Sequence, residues 1–539
     1  MSSNGLSFHH PVALWVGCVA LVAGVQAHLP GFIDSSQQGY QMAGLPVDDV
    51  MMIGMVLIPS GFLLATFGLM PRLGQLHHNL HGRPIQFHVA DGAPLNREHW
   101  LLVMVLLVAL AVDVMKPATL GFVMPGMSRE YGISKQTAGW LALVALTGTT
   151  VGSVVWGRFA DSFGRRAAIL LSALMFIGTA ICGAMNSFAL NLVMCFLMGA
   201  SAGGLLPITF TLMAEMIPAA HRGWLLVALG GVGTSAGYLL AAGSAAILEP
   251  IFSWRVLWLL GLPTGALIIV LDRYIPESPR FLANAGLMGQ ARAVLAKYSG
   301  VIDREDADPA HAPADPAVPA PVRMRQLLTG AHAGITWGLV VCGIAWGLVN
   351  FGFLLWLPTN LRGMGMDAAV ATALLARSAI LALPGIALVI WLYHRWSSIK
   401  SLVLFAALTT AALVFFFVLG RFGVNSQTAI VVLTAALLIS ASGVIAMLIP
   451  YAAEIYPVQL RATGSGLIAA SSKFGGILGA IGGVLGVFND LGFSALFIAV
   501  PMSVSAVLLF RSGVETRGRR LEEIQDDVSL NQRSAPAAD

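Results

Sequence analysis

Long apolar runs alternate with short polar breaks along almost the whole chain, and the breaks carry nearly all of the charge. The apolar stretches fall at about 11–33, 50–71, 99–124, 137–157, 167–187, 189–216, 224–248, 254–273, 333–358, 368–392, 400–420, 427–452, 464–488 and 492–511. Each reaches or exceeds the roughly 18 residues a helix needs to cross a bilayer. The runs are continuous and rich in Leu, Ala, Val and Gly, whereas barrel strands would alternate apolar and polar positions. The pattern therefore predicts an all-α integral membrane protein of fourteen spans.

Composition sharpens this picture. With 57% hydrophobic and 10% charged residues and a mean hydropathy of +0.80, an ordinary soluble protein is excluded. The net charge of +4 gives no sign of a nucleic-acid partner. Cys18, Cys182, Cys195 and Cys342 all lie inside apolar runs and read as small buried hydrophobes without metal-ligand spacing. His77 and His81, four apart in segment 72–98, read as part of a solvated linker.

The distribution of Lys and Arg sets the expected orientation. With both termini in the cytoplasm, 22 of the 30 lie in cytoplasmic segments. Five lie outside (Arg129, Lys135, Arg255, Arg362, Arg421) and three within spans (Lys116, Arg377, Lys473). No Lys or Arg precedes Arg72, so a cleaved signal peptide is not expected. The expected location is a bacterial inner (plasma) membrane. Cysteines placed at Asn79 or Ala314 should resist labelling from outside intact cells; ready labelling of either would reverse the orientation.

Between the fourth and fifth runs lies Gly157-Arg158-Phe159-Ala160-Asp161-Ser162-Phe163-Gly164-Arg165-Arg166, a glycine-spaced turn whose charges cannot sit in hydrocarbon. The chain also repeats itself. Ala214-Glu215-Met216-Ile217-Pro218 with Arg222 matches Ala453-Glu454-Ile455-Tyr456-Pro457 with Arg461 at an offset of 239 residues, and Glu277 and Glu515 stand 238 apart. These motifs resemble the major facilitator superfamily of secondary transporters over roughly residues 100–525. The Pro-Glu-Ser-Pro-Arg stretch at 276–280 and Glu-Thr-Arg-Gly-Arg-Arg at 515–520 are similar to the sugar-porter, organic-ion and metabolite:proton symporter branch.

The resemblance implies two six-helix halves with two extra N-terminal spans. The segments are then 1–98 (extra spans and linker), 99–273 (first half), 274–331 (central linker), 332–511 (second half) and 512–539 (tail). The linker opens amphipathically through Lys297 and turns Ala/Pro/Asp-rich from Asp303 to Pro321, a composition that reads as a flexible tether. The resemblance also implies a gate in which Asp161, Arg165 and Arg166 lock one state. Two ion pairs, Glu215 with Arg222 and Glu454 with Arg461, would form and break during the cycle. The second-half counterpart of the loop, Tyr393–Lys400, keeps positive charge but lacks an acid, so the lock is expected to be asymmetric. Where the family often places a relay arginine before a glycine, this chain has Cys195 before Gly199.

Charges within spans are functional candidates by default, since each costs about 2.5–3.5 kcal/mol on insertion scales. Asp113 and Lys116 share one helix at i, i+3 spacing. Asp113 is the expected proton carrier, and Pro117 is expected to disturb the helix beside them. Lys116, Arg377 and Lys473 would meet an anionic cargo, with Trp346, Asn350 and Phe353 stepping at helical intervals as one cavity face for a ring.

The reading is a transporter, not an enzyme: no nucleotide loop, nucleophile–base constellation or metal cluster is present in the sequence. The expected activity is proton symport of a small organic anion, an aromatic or other carboxylic acid, by alternating access. Its partners would be the small-molecule substrate, protons and the lipid bilayer, with no cofactor and the proton gradient as energy source. Alternatives are a sugar or polyol porter, a drug exporter or a non-transporting membrane sensor.

Overall fold

The computed structural model describes residues 10–69, 94–285, 287–299, 324–329, 332–422, 426–456 and 458–516. The histidines at 77, 81 and 88 and the Asp303–Pro321 stretch lie outside the described residues. Among the described residues the chain is helical throughout, and fourteen helices are long and apolar enough to cross a membrane.

The helices used below are α1 (Pro11–Gln26), α2 (Asp49–Leu69), α3 (Arg97–Glu130), α4 (Lys135–Phe163), α5 (Arg165–Gly178), α6 (Phe188–Met216), α7 (Ala219–Phe252), α8 (Gly261–Leu271), α9 (Pro279–Asn284), α10 (Met288–Ser299), α11 (Ala333–Leu348), α12 (Ala368–Arg395), α13 (Ser398–Phe422), α14 (Gln427–Ile455), α15 (Val458–Val484) and α16 (Leu491–Ser512). The chain divides into two compact units. Residues 1–225, 236–303 and 361–376 form the first; residues 226–235, 304–360 and 377–539 form the second.

Small residues hold the first unit's helices together, because apolar side chains gain little by leaving lipid for one another. In α1 and α2 glycines recur every seven residues, at 17 and 24 and at 54, 61 and 68. A Cβ on Gly17 would lie 2.6 Å from Gly61 O, and one on Gly68 2.3 Å from Leu14 N. Low residue numbers on α1 thus face high ones on α2, so the pair is an antiparallel hairpin of near-touching backbones. The hairpin packs on α5. The same device joins α4 to α6, where a Cβ on Gly152 would meet Ala200 O at 2.1 Å.

Helix α3 is longer at both ends than the apolar run predicts. Asn96 and His99 form a capping box that starts it in the polar segment. It continues through Pro117 and Pro125 to Glu130, so Pro117 does not end the helix. Neighbouring helices in a membrane bundle can satisfy the backbone groups a proline frees. The amphipathic stretch after residue 274 folds as α9 and α10 around Phe281, Leu282 and Ala291. It is tied to the start of α3 by Asn96 Nδ2 donating to Tyr298 O (2.7 Å) and by a Lys297–Glu98 ion pair (2.9 Å).

In the second unit α11 packs on α15 and α16, and α13 on α14 and α16. The α11–α15 seam is again backbone on backbone: a Cβ on Gly347 would lie 2.2 Å from Ser472 O, and one on Gly475 2.1 Å from Ile344 O. Beyond α11 the chain forms a π-helical stretch, Val349–Leu354. Leu355 N there donates to Asn350 O, five residues back, at 2.9 Å.

Candidate functional site: charged helix ends and intramembrane polar groups

The glycine-rich loop between α4 and α5 becomes a helix N-terminus gripped by a carboxylate. Gly164 sits at φ +106°, a left-handed conformation that side chains disfavour. A Cβ there would lie 2.3 Å from Glu277 Oε2. Glycine therefore lets Glu277 reach the unpaired N–H groups that open α5. Arg165 N donates to Glu277 Oε1 (2.7 Å) and Arg166 N to Oε2 (3.3 Å). The helix dipole favours a carboxylate at this place. Burial pushes the Glu277 carboxyl up to about 7, against the opposing pull of the backbone N–H groups and Arg165.

The arginines complete the cluster. Arg165 pairs with Glu215 (3.4 Å) and donates to Ala160 O (3.1 Å). The Arg166 guanidinium holds Asp272 through Nε at 3.0 and 3.1 Å. In this conformation Glu215 and Arg222 are engaged elsewhere. Glu215 goes to Arg165, and Arg222 donates through Nε to Ile217 O (3.2 Å), turning back on the bend that ends α6. Asp161 lies in the last turn of α4, and its side chain is not among those described.

The second unit repeats the carboxylate cap, here with hydroxyl and backbone donors among its partners. Glu515 accepts from Ser398 N (3.1 Å) and Ser398 Oγ (2.6 Å) at the start of α13, and from Ser397 Oγ. Glu454 accepts from Tyr393 Oη (2.9 Å) and Thr516 Oγ1 (2.6 Å). Glu515, 118 residues from Ser397, thus stands to α13 as Glu277 stands to α5. The Arg461 side chain lies outside the described ones. Sequence reading missed the roles of Asp272, Glu277, Tyr393 and Glu515. The near-equal offset of Glu277 and Glu515 was the available signal.

Gly164→Ala tests the grip. It adds a strained backbone, costing on the order of 1–3 kcal/mol, and drives a methyl into Glu277. A lower unfolding temperature is expected, together with weaker tethering of α9. An unchanged melting curve would show that the α5 cap contributes little.

Within the spans the structure sorts the candidate residues. Asp113 and Lys116 are both buried in the first unit, at 4% and 3% exposure. Lys116 Nζ donates to Phe176 O (2.7 Å) and Thr179 Oγ1 (2.8 Å), and stands 3.7 Å from the Phe176 ring centroid. It stabilises the C-terminal carbonyls where α5 tightens into the 3₁₀ turn Thr179–Ala184. In this conformation Lys116 is engaged by these α5 groups and not by Asp113.

In the second unit Lys473 is half-buried on α15, next to Ser472, whose carbonyl abuts Gly347 of α11. Trp346 and Asn350 are half-buried on the facing helix at that level. Trp346 Nε1 donates to Ala441 O (2.9 Å), which fixes the indole, and Asn350 Nδ2 donates to Trp346 O (3.1 Å). Phe353 leaves the predicted trio: it is fully buried against Phe416, with ring centroids 5.0 Å apart. The π-helical stretch adds a residue to the turn and rotates position 353 away from the 346/350 face. Arg377 is exposed on α12, one turn from the exposed Ile380 and Leu381.

At the end of the first unit remote from Gly164, a second buried pair joins Arg255 to Glu130 (2.6 Å). Arg255 also donates to Gly183 O (2.9 Å) and Met185 O (2.8 Å). Glu130 Oε1 further accepts from the backbone N–H groups of Met42 (2.7 Å) and Ala43 (3.0 Å), so the α1–α2 loop is bonded directly to the end of α3.

Comparison with known proteins agrees with this geometry. The family model described as Major Facilitator Superfamily matches residues 101–480. The chain is 27% identical to a niacin transporter of Acinetobacter baylyi, over 80% of this chain and 98% of the relative. It is 30% identical to a 4-hydroxybenzoate transporter of Pseudomonas putida over 77% and 93%. It is 28% identical to a gallate transporter of Pseudomonas putida over 78% and 94%. Among solved structures, a proton:xylose symporter superposes with a TM-score of 0.60 at 17% identity, covering 79% of this chain and 98% of that one. At that identity the likeness speaks for the fold alone.

Proposed function

This chain belongs to the major facilitator superfamily, and from that premise we propose that it carries a small aromatic carboxylic acid across the membrane by proton symport. The observation that carries the cargo is Lys473, a half-buried cation inside a span, on the helix whose backbone meets Gly347, the residue between Trp346 and Asn350 in the chain. A cation within a span is a functional candidate by default. The Trp346 indole offers a ring a flat surface, and the Asn350 amide offers hydrogen bonds to ring substituents. The relatives named for niacin, 4-hydroxybenzoate and gallate support the same class.

Asp113 is the proton carrier in this reading, since it is a buried carboxylate within a span of the first unit. The two capped helix ends, Glu277 on α5 and Glu515 on α13, serve as the latches of alternating access. The first latch draws on the Arg165 and Arg166 ion pairs, and the second includes hydroxyl donors from Ser397, Ser398 and Thr516. The reading places both chain termini in the cytoplasm of a bacterial inner membrane.

Uptake into proteoliposomes tests the proposal. Nicotinate, 4-hydroxybenzoate and gallate should accumulate when the outside is made acidic, and xylose should not. Accumulation of xylose without the acids would move the reading to a sugar or polyol porter, a class the Pro-Glu-Ser-Pro-Arg stretch at 276–280 also fits.

A further inference from the structure

The α1–α2 hairpin lies outside the span of the family match, and its loop takes part in a cavity. The cavity, of about 450 Å³, lies at the end of the first unit that holds the Arg255–Glu130 pair. Its volume falls within the roughly 300–1,000 Å³ of small-molecule sites. The α1–α2 loop contributes Gln41, the end of α3 contributes Arg129, and the segment after α7 contributes Trp254. The start of α12 contributes Asp367 and Ala369. Every lining residue belongs to the first unit.

Two carboxylates of this cavity are neutralised by arginines outside its lining, which leaves Arg129 and the exposed Asp367 as its other charges. Glu130 is held by Arg255, by two backbone N–H groups and by Trp254 Nε1 (2.9 Å). Glu249 is held by Arg362 (2.9 Å). Asp367 Oδ1 accepts from Ala369 N (3.3 Å). Arg129 is exposed and makes no ion pair or hydrogen bond within contact distance among the described residues, though its charge is felt by Glu249. Pro250 shares the lining with it, as does the edge of the mostly buried Trp254 ring, which packs on Gly126 and carries the Arg255 guanidinium 4.6 Å from its centroid. A planar guanidinium beside an apolar wall matches a carboxylate on a small ring.

The loop that brings Gln41 to this wall is built under strain. Tyr40 adopts φ +61°, a conformation that costs a non-glycine residue on the order of 1 kcal/mol and clusters at ligand clamps. It is kept there by ring contacts to Phe32 (5.0 Å) and Phe252 (5.7 Å) and by the Met42 and Ala43 bonds to Glu130.

We propose that this cavity is a second binding site, for a small organic carboxylate whose anion is met by Arg129, and that the α1–α2 hairpin serves to complete it. The proposal rests on the reading of the cargo as an organic acid, and in the proposed orientation the site faces outside, where it captures the acid before the carrier opens.

The test uses the full chain in nanodiscs with Ala369→Cys as reporter and 4-hydroxybenzoate as the probe. Saturating probe should slow maleimide labelling of that cysteine several-fold. Adding Arg129→Gln should raise the half-protecting concentration about tenfold, the loss of one charged contact. Adding Lys473→Gln should leave protection where it was. If the same protein in vesicles takes up the probe and the cysteine is never protected, the second site is wrong and the carrier reading stands. Protection that survives Arg129→Gln unchanged removes the assignment of that guanidinium. If the probe is neither taken up nor protective, the organic-acid reading fails and this inference falls with it.

Discussion

In Asp113→Asn, accumulation of substrate against its gradient under an imposed pH difference should be lost, while exchange of labelled for unlabelled substrate across the same vesicles persists. Net symport must return the empty carrier after releasing both proton and cargo. A side chain that cannot ionise leaves the carrier without a proton to release. Exchange needs no net proton movement, so the neutral amide spares it. The structure makes this comparison cleaner than the sequence suggested. Lys116 is anchored on Phe176 O and Thr179 Oγ1, so the substitution does not set free a cation that would alter affinity. The change in uphill uptake should be complete. Intact gradient-driven accumulation in the variant would show that the proton travels elsewhere or that the carrier is a uniporter.

Lys473→Gln should weaken a carboxylate cargo by roughly tenfold or more and a neutral compound hardly at all. One charge-assisted hydrogen bond contributes about 1.5–3 kcal/mol, and each 1.4 kcal/mol is tenfold in affinity. The glutamine fits the same volume and keeps a donor, so the small-residue seam between α11 and α15 is not disturbed. Binding of nicotinate and of its neutral amide to the purified variant, measured by calorimetry, gives the two numbers to compare. Equal binding of the preferred ligand by both proteins, with that ligand neutral, would remove the anion reading.

The two predictions draw on different levels of the molecule. Span number, helical character and family were legible because burial in lipid demands long apolar helices, and a charged glycine turn among them has few other uses. The duplication was legible as matched offsets, and both matched acids, Glu277 and Glu515, occupy the same kind of place, the N-terminus of a helix far away in sequence. The partners of those acids were not legible. Glu215 lies seven residues from Arg222 and 50 from Arg165, yet it bonds the latter, while Arg222 donates to the Ile217 carbonyl at the bend that ends α6.

What the sequence determined by itself is whatever follows from local composition and period: fourteen membrane helices, a duplicated transporter core with an added hairpin, and the short set of charges that must have a purpose in hydrocarbon. Tertiary structure alone decided which of those charges are spent on the fold. Lys116 was assigned by the approach of the α5 terminus, Phe353 by a π-helical turn that no heptad or 3.6-residue count anticipates, and the α1–α2 loop by two backbone N–H groups meeting Glu130. The physical reason is common to all three. A buried polar group takes the partner that packing brings within about 3 Å, and packing between elements distant in sequence is set by small-residue seams and helix ends whose pairing the linear order does not encode.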